Sequence, residues 1–97
     1  MKCRVKYYAE AKIDLAEIKA YMTQFSTRAY SRFTEQLKRK AEILKNHPFS
    51  CQVYEDDPSY RRFVVGDYLV FYRVDEASRV VEIYRVLHET RNAKKHL

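Results

Sequence analysis

The side chains in this sequence best suited to act on an anion are arginine, lysine and histidine, and they are spaced unevenly. Arg62 stands in the run Tyr60-Arg61-Arg62-Phe63-Val64-Val65 and Arg85 in Val81-Glu82-Ile83-Tyr84-Arg85-Val86-Leu87, while His88, Arg91, Lys94, Lys95 and His96 crowd the last ten residues. Arginine offers a rigid fork of donors to carboxylate or phosphate, and imidazole exchanges a proton near neutrality. Arg62, Arg85, His88 and Arg91 are therefore the candidate binding residues. Tyrosines interleaved with these cations suit an acidic peptide or a nucleic acid.

Other chemistries are poorly supplied. The chain has 97 residues and one glycine, which excludes the three-glycine dinucleotide turn and the two-glycine phosphate loop. Cys3 and Cys51 stand alone, without a Cys-x-x-Cys pair or zinc spacing, and read as ordinary thiols. Glu55, Asp56 and Asp57 are adjacent carboxylates, but no further ligand set accompanies them, and a solvated loop is the better reading. No cofactor and no metal are expected.

The elements that must position the basic residues follow from hydrophobic periodicity. Lys2, Arg4, Lys6 and Tyr8 alternate with Cys3, Val5 and Tyr7, the period of a strand with one buried face. Ala11, Leu15, Ile18, Met22 and Phe25 then form one helical stripe, with Lys12, Asp14, Glu17 and Lys19 elsewhere. Ser26 or Thr27 can cap a second helix with the stripe Tyr30, Phe33, Leu37, Ala41 and Leu44, which Pro48 prevents from running further.

Pro48 to Ser59 has loop composition. After it, Tyr60 to Val65, Tyr68 to Val74 and Arg79 to His88 read as three strands, with Gly66 placed where a two-residue hairpin needs positive φ. Alternation groups Tyr60, Arg62 and Val64 against Arg61, Phe63 and Val65. In the last strand it groups Val81, Ile83, Arg85 and Leu87 against Tyr84, Val86 and His88. The order β-α-α-β-β-β predicts a single α+β domain over residues 1–97, an antiparallel sheet with a helical pair on one face and an open basic surface on the other.

Lysine and arginine number 19 against 13 acids, a net charge of +6, so an acidic partner is expected. No apolar run approaches the roughly 18 residues that span a bilayer, and Met1-Lys2-Cys3-Arg4-Val5-Lys6 lacks the apolar region of a signal peptide. A cytoplasmic location without membrane contact is the expectation.

The run Tyr60-Arg61-Arg62-Phe63-Val64-Val65-Gly66-Asp67-Tyr68-Leu69-Val70-Phe71-Tyr72-Arg73-Val74, with Val86-Leu87-His88-Glu89-Thr90-Arg91 and Leu97, closely resembles the ParE branch of the RelE/ParE toxins. Ala11, Asp14, Leu15 and Ile18 fit that family's first helix. The resemblance implies the toxin of a bacterial type II toxin-antitoxin pair with a β-α-α-β-β-β fold. It also implies inhibition by a cognate antitoxin with an acidic or amphipathic C-terminal segment, in a hetero-oligomer. The antitoxin would add a helix along the helical pair or a strand to an edge of the meander.

The resemblance points to two targets. ParE-like members poison DNA gyrase, with Arg62, Arg85, His88, Arg91 and the tail as contacts. RelE-like members cut messenger RNA on the ribosome, which here would need Arg62 and Arg85 on the phosphate and His88 as acid or base. Against the RelE pattern, Arg62 keeps one strand cation, but Tyr60, Leu69 and Glu89 stand where positive charges are needed, and no tyrosine follows His88. A non-hydrolytic gyrase poison is therefore preferred to a ribosome-dependent endoribonuclease, with a non-toxic basic binding module as the third reading.

Overall fold

The computed structural model describes residues 2–97; Met1 lies outside the described residues. Strand β1 (Arg4–Tyr7) leads into helices α1 (Ala9–Thr23) and α2 (Thr27–Asn46). Strands β2 (Gln52–Val53), β3 (Arg61–Val65), β4 (Tyr68–Asp75) and β5 (Val80–His88) follow, and a short 3₁₀ turn (Ala93–Lys95) ends the chain. The sheet order is β1-β5-β4-β3-β2. The first strand lies parallel to the last, and the other neighbours are antiparallel. Among the described residues no helix is long and apolar enough to cross a membrane.

The second helix forms as its stripe dictates. Ser26 caps it by accepting the Ala29 N–H, and Phe33, Leu37, Ala41 and Leu44 are buried along one side. Helix α1 departs from its predicted stripe. Ala11 and Ile18 are buried with Asp14 between them, whereas Phe25 lies beyond the helix end and is 73% exposed. Asp14 therefore belongs to the buried side and not to the polar face that spacing assigned it.

Between helices and sheet lies the main core, with Phe33, Leu37 and Leu44 against Phe63, Val70, Tyr72, Val81, Ile83 and Val86. Tyr72 is fully buried, and its hydroxyl donates to the Pro48 carbonyl at 2.8 Å, tying the loop after α2 to the sheet. Arg61 ties down the same loop by donating to the carbonyls of Phe49 and Cys51. Residues 52 and 53 of that loop pair with β3, an extra strand that composition alone did not suggest.

Two corrections concern the faces of the sheet. In the β4–β5 ladder Phe71 faces Arg85 but Tyr72 faces Ile83, so Tyr84 is an extra residue, a β-bulge. The bulge shifts the alternation by one residue. Val86 joins Val81 and Ile83 on the helix side, and Leu87 goes to the opposite face, contrary to the expected grouping. The helix-free face is also only partly open. Tyr60, Phe71 and Leu87 form a second buried cluster there, covered by Tyr54, Leu69, Tyr84, Ala93 and Leu97.

Candidate functional site

Strand β1 ends at Tyr7, so the second half of β5 has no strand neighbour on that side. An amide left bare there would cost on the order of 1–3 kcal/mol. Asp14 of α1 fills the gap. Its Oδ2 accepts the Val86 N–H at 2.9 Å and the Arg85 Nε–H at 2.8 Å, and its Oδ1 accepts from Arg85 Nη2 at 2.9 Å. Arg85 also donates from Nη1 to the His96 carbonyl at 2.8 Å. The Asp14 carboxylate, through its hydrogen bonds, pushes the Arg85 pKa further up. The pair joins the first helix, the last strand and the C-terminal segment.

The sequence-derived candidates do not converge on one point. Arg85 is engaged by Asp14 and the tail. Arg62 is half-buried on the helix-free face opposite Phe71. His88 and Arg91 share a cleft of about 140 Å³ between α1 and the end of β5, with Glu17, Tyr21 and Tyr68 also on its walls. There the His88 ring meets the Tyr68 ring edge to face at 5.3 Å. Thr90 meets the same ring, its N–H 3.2 Å and its hydroxyl 2.9 Å from His88 Nδ1.

At the other positions where the RelE pattern calls for a cation, the chain has none. Tyr60 is buried, Leu69 is half-buried in the second cluster, and Glu89 is exposed beyond β5. Among the described residues no group of three or more His, Cys, Asp or Glu side chains could hold a metal ion. The arrangement offers isolated cations and one imidazole, suited to contact with an anionic surface.

A family model for the ParE toxin of type II toxin-antitoxin systems matches residues 5–93. The chain belongs to the ParE toxin family. Toxin ParE1 of Caulobacter vibrioides is 37% identical over 89 residues, covering 90% of each chain. Solved structures agree on the ParE fold. A chain of the chromosomal ParDE system from P. aeruginosa superposes with a TM-score of 0.70 at 17% identity, covering 89% of this chain and 95% of its own. A chain of the RelBE2 toxin-antitoxin complex from Mycobacterium tuberculosis reaches 0.64 at 20% identity, covering 91% and 99%. In ParE terms, the chain is a toxin of the type II class with the α+β fold expected from its sequence.

Sequence reasoning passed over two features. Asp14 was assigned to solvent because one carboxylate in an amphipathic helix ordinarily faces water. Arg73, on the face it shares with Leu69 and Phe71, lies over the rings of Tyr60 and Tyr84 at 5.4 and 5.5 Å. Strict alternation along β4 carried that signal.

Proposed function

We propose that this ParE-family chain arrests growth by poisoning DNA gyrase through surface contact rather than by hydrolysis, and that a cognate antitoxin holds it inactive. The observation that carries the reading is the engagement of Arg85. Its donors are taken by Asp14 and the His96 carbonyl, and uncharged Tyr60 and Leu69 stand beside Arg62. Among the described residues Arg91 is the one arginine or lysine lining the cleft at the His88 ring, which removes several kcal/mol of transition-state stabilisation from any RNase route. Arg62, His88 and Arg91 are then the target contacts, and Arg85 is a positioning residue that holds the C-terminal segment.

The antitoxin has a fitting surface. A groove of about 290 Å³ runs between the helices, with Tyr7, Leu15 and Leu37 at its base and Lys12 and Lys38 beside them. It suits the apolar face of a helix whose flanks carry acids.

Purified gyrase with ATP and supercoiled plasmid should lose supercoiling activity and accumulate cleaved DNA when the toxin is added, and the antitoxin should reverse both. Absence of inhibition and of cleavage complex at micromolar toxin would overturn the gyrase reading. Codon-phased cuts in translated messages, abolished by His88→Ala, would replace it with the ribosome-dependent endoribonuclease.

A further inference from the structure

Part of the helix-free face remains uncovered, and its side chains are stacked in a series. Lys6 Nζ lies 5.0 Å above the Tyr8 ring, and Tyr8 stacks on Tyr84 with centroids 4.3 Å apart at 35°. Tyr84 meets the edge of Tyr60 at 5.5 Å, and Arg73 covers both. The register explains the line, because Lys6, Glu82 and Arg73 are neighbours across β1, β5 and β4. Tyr8 and Tyr84 are half-exposed, and Lys6 and Arg73 are exposed. The Tyr8 hydroxyl donates to Glu82, which fixes the ring.

Charge on this face is unbalanced. Arg4, Lys6, Arg62 and Arg73 stand on it against Glu82 and Asp75, and none of the four cations is in an ion pair among the described residues. Beside the rings lies a cleft of about 280 Å³ bounded by Tyr8, Glu10, Tyr60, Tyr84, Arg85 and Leu97. That is just under the lower end of the range for drug-sized ligands, and it suits one planar ring system.

We propose that this surface binds a single strand of nucleic acid, with bases stacked on Tyr8 and Tyr84, and phosphates on Lys6, Arg73, Arg4 and Arg62. An extended peptide gains most of its affinity from main-chain pairing at a sheet edge, and this is the face of paired strands, which offers side chains only. Aromatic faces beside unpaired cations match unstacked bases on a charged backbone. A duplex keeps its bases inside and cannot use the rings. The site is separate from the His88 and Arg91 cleft, and its test does not depend on the gyrase reading.

The test is fluorescence anisotropy with short labelled oligo(dT) and oligo(rU), against a duplex of the same length. Single strands should bind more tightly than duplex. With four phosphate contacts on a single strand, the dissociation constant should rise roughly fiftyfold between about 50 and about 200 mM salt. Arg73→Glu with Lys6→Glu, both at exposed positions, should weaken binding at least about tenfold and flatten the salt dependence. Tyr8→Leu should weaken it about tenfold while leaving the salt dependence nearly intact.

Far-UV circular dichroism confirms that each variant is folded. Arg39→Glu with Lys40→Glu on the helical layer is the control and should change affinity less than about threefold. The proposal is overturned by equal affinity for duplex, by no binding at tens of micromolar protein, or by an equal loss in the helix control.

Discussion

At the scale of single residues, Asp14 is the most consequential polar group. Its carboxylate is 4% exposed, Arg85 is 14% exposed, and the carboxylate also accepts the Val86 N–H. Removing one partner of such a pair strands a buried charge, which costs about 3–5 kcal/mol. Asp14→Ala should therefore lower the unfolding free energy by that order, measured by urea denaturation. Adding Arg85→Met should return only part of the loss, because the Val86 amide still lacks an acceptor, at about 1–3 kcal/mol. Equal stability of Asp14→Ala and wild type would show that the pair does no structural work. The same contact explains why a strand arginine amid apolar residues is not automatically a ligand-binding group. The acid it pairs with lies 71 positions away in sequence, and no local pattern joins them.

At the scale of elements, turns and bulges decide which face each strand residue reaches. Gly66 adopts φ +57° between β3 and β4, where a side chain would be strained, while Arg79 adopts φ +56° at the end of the β4–β5 loop without being glycine. That conformation costs an L-residue on the order of 1–2 kcal/mol, and glycine's extra unfolded freedom returns roughly half of it. Arg79→Gly should thus raise the melting temperature by a few degrees, as scanning calorimetry would read; a fall would mean that the arginine side chain contributes more than its backbone costs. The Gly66 hairpin was legible because composition and position agreed there, as were the α2 stripe and the two other strands. The bulge at Tyr84 was not, since an inserted residue has no compositional mark when both neighbouring phases contain apolar side chains. Its effect was to exchange Val86 and Leu87 between faces, which in turn moved the candidate site. His88 and Arg91 could be named from sequence, but their separation from Arg62 by the thickness of the sheet depends on that one residue.

Over the whole molecule, the small core is distributed on two faces of one sheet and takes in Tyr60, Tyr68 and Tyr72, which ties stability to alkaline pH. Burial raises the pKa of Tyr72, and of Tyr7, Tyr54 and Tyr68; for Tyr8 the main cause is its hydrogen bond to Glu82. In each case the folded chain holds the phenol proton more tightly than the unfolded chain, whose tyrosines ionise near about 10. Below that pH both states are protonated and the stabilisation is fully present. Above it the unfolded state releases protons first, so stability falls as pH rises through the folded-state values. Loss of charge repulsion cannot mask this, because the net charge has already passed through zero near pH 9.4. Tyrosinate absorbance followed alongside far-UV circular dichroism should show a late fraction of phenols ionising together with the loss of secondary structure. Tyr72→Phe should shrink that fraction and, by leaving the Pro48 carbonyl without its donor, lower stability at neutral pH by about 1 kcal/mol. A single titration wave centred near about 10 with unchanged dichroism would instead mean that the tyrosines on both faces are as free to ionise as those of the unfolded chain.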